Sequence, residues 1–173
     1  MNKPSHINSN QTRWRRCLFA IFAQLLVGSC LVDSGESEDC GPAKAMVTRV
    51  IDGDTVEIEN GERVRYLLID TPELDSGDCF ADQATELNAD LVLGKELSFQ
   101  YEEVCRDDFG RLLAFASIGD RSINETLLER GYACTLYIPP NGEESRERYQ
   151  MLMSDAKSNE RGMWSACESI SCL

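Results

Sequence analysis

Three short segments hold residues that could act together on a substrate. Asp52-Gly53-Asp54-Thr55 sets two carboxylates one residue apart around a glycine, a spacing that can aim oxygens at one point. Hard cations such as Ca²⁺ want several oxygen ligands in a flexible shell, although Asp-Gly-Asp taken alone is most often a plain turn. Next comes Arg65-Tyr66-Leu67-Leu68-Ile69-Asp70-Thr71-Pro72-Glu73. Asp70 and Glu73 leave the apolar run 67–69 where Pro72 stiffens the chain. Strand alternation puts Arg65 and Leu67 on one face, so Arg65 is expected to point inward. There it needs a carboxylate partner, as a structural ion pair, or a substrate phosphate. Asp107-Asp108-Phe109-Gly110-Arg111 is a turn that delivers a second arginine to the start of a strand. By itself Arg111 reads equally as a solvated surface charge.

Five short strands must carry these turns, at residues 45–51, 55–59, 63–69, 96–101 and 111–118. Residues 55–59 alternate with period two, as a half-buried strand does. Asn60-Gly61 signals a type I′ hairpin. Helical patterns cover residues 81–93, with Ala84, Leu87 and Leu91 on one face, and 122–130, where Ser122 and Glu125 form a capping box and Gly131 is a stop. A third covers 143–161, with Tyr149, Leu152, Met153 and Ala156 inward and Gly162 at its end. The elements lack a β-α-β rhythm. They imply an α+β, mainly β fold: a small antiparallel barrel of the OB type with three helices packed beside it.

The formal charge is -13, with 17 basic and 30 acidic residues. Residues 1–30 contain Lys3, Arg13, Arg15 and Arg16 and no acid, so only 13 basic residues face the 30 acids beyond them. That balance runs against nucleic-acid binding, which normally draws on basic patches. The one histidine is His6. Residues beyond it therefore exclude Ser-His-Asp triads, Cys-His nucleophiles and histidine-based zinc sites. Chemistry must come from carboxylates, arginines, tyrosines or a bound metal.

Residues 1–30 read as an export signal, with a positive start and an apolar run from Cys17 to Val27 that is too short to span a bilayer. The run ends Leu26-Val27-Gly28-Ser29-Cys30, a lipobox-like sequence in which Cys30 would be lipidated; ordinary cleavage near Ser29 is the alternative. Residues 31–43 are expected to form an acidic flexible tether, and 44–173 one domain. Six further cysteines, an even count without a CxxC pair, favour disulfides in an oxidising compartment. Their pairing stays open at this level.

The order and spacing of the three segments resemble the staphylococcal nuclease family. The stretch from Ser122 to Ala133 looks like that family's second helix and turn, and Gly162-Met163-Trp164 its closing tryptophan motif. The similarity covers roughly residues 44–168. It implies that Asp54, Asp70 and the Thr71 carbonyl ligate Ca²⁺, with Asp52 nearby. Glu73 would orient or deprotonate the attacking water, and Arg65 and Arg111 would hold the phosphate. Tyr137 falls where the family has a nucleotide-contacting tyrosine. The implied activity is hydrolysis of DNA and RNA 5′-phosphoester bonds, leaving 3′-phosphates, with some preference for unpaired strands. Nothing demands an oligomer, so a monomer is expected.

Two features depart from the family. Its best-known members are basic, with a lysine and a tyrosine where this chain has Asp108 and Phe109, and an aromatic where it has Pro139. The prototype also lacks disulfides. By analogy with the family layout, a Cys79–Cys105 bridge would brace both loops around the site. The competing readings are a non-catalytic OB-fold module that binds nucleic acid, and an envelope lipoprotein whose acidic surface binds Ca²⁺.

Overall fold

The computed structural model describes residues 40–171. The export signal, lipobox and most of the tether expected from the sequence lie outside them. Among the described residues no helix is long and apolar enough to cross a membrane. The strands are β1 (Lys44–Val50), β2 (Thr55–Ile58), β3 (Arg63–Tyr66), β4 (Ile69–Asp70), β5 (Glu96–Gln100), β6 (Leu112–Ile118), β7 (Arg121–Ser122) and β8 (Cys134–Thr135). The helices are α1 (Ala81–Val92), α2 (Ile123–Glu129), α3 (Arg146–Ser158) and α4 (Met163–Ala166).

β1, β2, β3, β6 and β5 pair in a closed ring, which makes the expected five-stranded OB-type barrel. Closure differs from the expectation in one respect: β3 and β6 run parallel. α1 and β5 intervene between them in sequence, and this long connection lets both strands run the same way. Inside the ring Val47, Val56, Ile58, Val64, Tyr66, Leu97, Leu112 and Ala114 form the buried core. α2 packs against β6 and α3 against α2. Ser122 accepts from the Glu125 N–H at 3.1 Å, the N-cap expected for α2. Tyr149 and Ala156 of α3 are buried, with Leu152 and Met153 partly so.

The β2–β3 hairpin is not the type I′ turn that Asn60-Gly61 suggests. That turn needs positive φ at both residues, and only Gly61 has it, at +84°. The loop is a residue longer, closed by the Gly61 N–H to the Ile58 carbonyl at 2.8 Å, with the Asn60 side chain accepting from Glu62 N at 3.0 Å.

Two disulfides join pairs of described residues, and neither is the expected Cys79–Cys105 pair. Cys40 bonds Cys105 and Cys79 bonds Cys167. The antiparallel register of β1 and β5 explains the first, since Lys44 opposite Ser98 leaves Cys40 beside the chain that follows β5. Cys134 is disulfide-bonded as well. Cys40 is buried, and the Tyr101 hydroxyl donates to the Pro42 carbonyl at 2.9 Å. Residues 40–43, the last four of the expected tether, are thus docked on the barrel.

Candidate active site

The turn between β1 and β2 is built around Asp54. Asp52 Oδ1 accepts from the Asp54 N–H at 3.0 Å and shapes the turn. Gly53 leaves room for a close approach: a Cβ there would lie 2.6 Å from Thr71 Oγ1. Asp54 is buried and both of its carboxylate oxygens accept hydrogen bonds. Oδ2 accepts from the Thr71 N–H at 2.9 Å and the Thr71 hydroxyl at 3.0 Å. Oδ1 accepts from the Thr55 hydroxyl at 3.1 Å and faces Arg65 Nε at 3.0 Å.

Arg65 departs from the sequence reading. Val64 and Tyr66 fill the barrel, so Arg65 faces the opposite way, outside it. It is largely shielded all the same, its side chain 11% exposed, because the chain folds back over it. β3 stops at Tyr66, Leu68 turns with φ +62°, and Ile69 and Asp70 pair with β8 instead of extending β3. Arg65 Nη1 donates to the Tyr66 and Ile69 carbonyls, each at 2.7 Å, and Nη2 to Asp70 Oδ1 at 2.8 Å. A guanidinium has five N–H donors. With Nε on Asp54, one remains to point at a ligand.

Arg111 is presented differently. Asp107 Oδ1 accepts from the Phe109 and Arg111 N–H groups at 3.0 and 2.9 Å, and Oδ2 from Arg111 Nε at 2.6 Å. Both Nη groups stay without a protein hydrogen bond among the described residues. Arg111 lies two residues before Leu113, which pairs with Arg65 across the β3–β6 ladder. The two arginines therefore share a face of adjacent strands, and both line one cleft of about 360 Å³.

Glu73 stands on the loop after Asp70, its side chain exposed. Its carboxyl titrates above the usual range, first through lost hydration, then through repulsion from Asp54 and Asp70; Arg65 and Arg111 oppose this. Burial raises Asp70 as well, with Asp54 adding to it and Arg65 opposing. Burial and then Asp54 push Asp52 up to about 6. Asp52, Asp54, Asp70 and Glu73 thus crowd negative charge around two arginines, one already paired to Asp107. That oxygen-rich surplus fits a hard divalent cation. Asp54, Asp70 and the Thr71 carbonyl could hold one. Among the described residues no three acidic, histidine or cysteine side chains converge as a metal cage, so water or substrate oxygens would complete the usual six to eight ligands.

Tyr137 is not among the residues lining the cleft, and the Arg146 guanidinium covers its ring at 4.7 Å from the centroid. Phe109 does line it, 84% exposed, with the Arg111 guanidinium 5.4 Å from its ring centroid. Ile138 and Pro139 lie on the same lining.

Two buried asparagines that the sequence reading passed over hold the site's supports. Asn88 Nδ2 donates to the Asp52 carbonyl at 2.9 Å while its Oδ1 accepts from the Tyr66 hydroxyl at 3.2 Å. Asn124 Nδ2 donates to the Leu67 carbonyl and its Oδ1 accepts from Ala116 N–H, both at 2.9 Å. A polar residue on an otherwise apolar helix face is the only signal either leaves in the sequence.

Comparison with known proteins is consistent with this geometry. The family model described as staphylococcal nuclease homologue matches residues 63–166. Endonuclease YncB of Bacillus subtilis (strain 168) is 35% identical over 125 residues, covering 68% of this chain and 59% of the relative. The SPbeta prophage-derived endonuclease YokF of the same strain is 34% identical over 125 residues, covering 68% of this chain and 42% of the relative. A thermonuclease from Staphylococcus intermedius is 30% identical over 128 residues, 70% of this chain and 73% of the relative. The match spans about half the length of the two Bacillus proteins.

Proposed function

The chain belongs to the staphylococcal nuclease family, and from that premise we propose that it is a Ca²⁺-dependent nuclease hydrolysing phosphodiester bonds of DNA, RNA or both. The observation that carries the reading is the cleft that Arg65 and Arg111 both line from one face of adjacent strands, with Glu73 on the loop that follows Asp70.

Asp54, Asp70 and the Thr71 carbonyl are the residues that would hold Ca²⁺. When bound, it supplies Lewis-acid stabilisation of charge on the phosphoryl oxygens. The remaining work belongs to the chain. Arg65, locked by two carboxylates and two carbonyls, offers its last N–H to a phosphate oxygen without reorganising. Arg111 offers the open fork of its two Nη groups, a shape that suits bidentate contact. In-line attack on a phosphodiester adds a second negative charge in the transition state. Fixed donors in a shielded site favour that state over the ground state. Glu73, exposed on its loop, takes the proton of the attacking water as the general base.

Export, with or without lipid on Cys30, belongs to the same proposal, because disulfides persist in oxidising compartments. The test is cleavage of a defined single-stranded oligonucleotide by the full chain with Ca²⁺. New 3′-phosphate and 5′-hydroxyl ends are expected. A folded, Ca²⁺-binding protein that cuts nothing would instead be the non-catalytic binding module.

A further inference from the structure

The segment 71–80 carries Glu73 from the barrel to α1, and the hydrogen bonds around Glu73 are internal to it. Asp78 N–H donates to the Glu73 carbonyl at 3.2 Å, and Asp78 Oδ2 accepts from the Glu73 N–H at 3.2 Å. The Gly77 N–H closes a turn onto the Leu74 carbonyl at 3.0 Å. These bonds shape the loop without fastening it to anything else. Its upstream end is fixed by Thr71 on Asp54. Its downstream end enters α1 through Phe80, a non-glycine residue at φ +76° with no side-chain cap. Such a conformation is strained and persists only where the surroundings impose it.

Two contacts impose it. Phe80 meets Tyr132 edge-on, with ring centroids 4.9 Å apart. Cys79 is bonded to Cys167, their Cα atoms 5.9 Å apart. The Cys167 end is firmly seated. Its N–H donates to the Met163 carbonyl at 3.1 Å, and buried Met163 donates its own N–H to the Gly131 carbonyl at 2.9 Å. A Cβ on Gly131 would lie 2.2 Å from the Arg161 carbonyl oxygen, and one on Gly162 2.3 Å from that of Gly131. The anchor is thus part of the closely packed helical layer.

We propose that the Cys79–Cys167 disulfide positions Glu73: it pins the downstream end of the loop that carries the carboxylate. The inference rests on the general-base role proposed for Glu73. Cys40–Cys105 is the internal comparison, since it ties the loop ahead of Arg111 to the chain before β1.

The experiment is a kinetic cycle on single-stranded DNA with the full chain, crossing Cys79→Ser plus Cys167→Ser with Glu73→Gln. Misplacement of a reacting group by about 1 Å can cost on the order of 100-fold. The cysteine pair is expected to lower kcat 10- to 100-fold by that estimate, with KM held within about twofold. Combined with Glu73→Gln it should add no further loss. Cys40→Ser plus Cys105→Ser should leave the size of the Glu73→Gln deficit unchanged. An unchanged kcat in the Cys79/Cys167 variant, or a loss that multiplies with that of Glu73→Gln, overturns the proposal. Full activity of Glu73→Gln with its disulfides intact overturns the role of Glu73 itself, and the inference with it.

Should the cysteine variant fail to fold, the folded parent can be treated with a trialkylphosphine. The phosphine is oxidised to its oxide with oxygen from water, and each S–S bond becomes two thiols. A kcat that falls in step with alkylation of Cys79 supports the positioning role; an unchanged kcat at complete alkylation overturns it.

Discussion

Arg65 and Arg111 have the same chemistry and different burdens. Arg65 is largely shielded with two carboxylates, and removing one member of such a group leaves an uncompensated charge that costs about 3–5 kcal/mol. Arg65→Ala should therefore lose both stability and activity, seen as a lower midpoint in urea. Arg111 is partly exposed and held through Nε alone. Arg111→Ala should keep the parent's midpoint while kcat falls about 100- to 1,000-fold, the usual effect of losing one preorganised donor. Asp52 gives the pH signature. Its carboxyl titrates at about 6, above the ordinary 3.8, through burial and the Asp54 charge. A raised carboxyl pKa means that the folded state holds its proton longer than the unfolded state. The associated stability is complete below the unfolded pKa and is lost as pH rises through about 6. Asp52→Asn keeps the acceptor that shapes the turn and removes the charge. In chelator at neutral pH it should stabilise the protein, on the order of 1–3 kcal/mol, and the gain should vanish by pH 4 in urea titrations.

At the scale of elements, the barrel strands, the helices and the turns that carry the three candidate segments are legible because period and turn chemistry are local. What was not legible depends on distant partners. Alternation within 63–69 put Arg65 on the inner face, but β3 ends at Tyr66, and its neighbours shield it from outside the barrel. The hairpin type could not be read from Asn60-Gly61, since the same two residues also fit a longer loop. Disulfide pairing depends on which strands adjoin, and the β1–β5 register decided Cys40–Cys105. Asn124 shows the same limit. It spans from α2 to β6 and to Leu67 just past β3, partners that local sequence does not name. Asn124→Ala leaves a buried N–H and a buried carbonyl without partners. Calorimetric unfolding should register a loss of about 2–4 kcal/mol. Gly53→Ala tests the closest approach at the site. Its Cβ would displace Thr71, so Ca²⁺ affinity measured by calorimetric titration should drop at least tenfold, the scale on which support of a metal ligand acts.

The whole molecule is acidic, at -13 overall, and the arginines lining the cleft each meet a carboxylate: Arg65 with Asp54 and Asp70, Arg106 with Glu62, and Arg111 with Asp107. Binding of a polyanion must then draw little on counterion release. With two arginines touching phosphate, the logarithm of affinity for single strands should fall with log salt at a slope of roughly -1.4 or shallower, from about -0.7 per phosphate neutralised. Fluorescence anisotropy with a Glu73→Gln protein across a salt series reads that slope, and a much steeper value would place further cations on the path of the strand. The central claim is hydrolysis by Glu73, the two arginines and a cation at Asp54 and Asp70. Its most direct test is digestion of heat-denatured DNA by the full chain with Ca²⁺, with EDTA, and with Glu73→Ser. The account predicts cleavage that requires Ca²⁺, stops in EDTA and collapses by about 100-fold or more without the glutamate. Equal cleavage by the Glu73→Ser protein, or undiminished cleavage in EDTA, would contradict it.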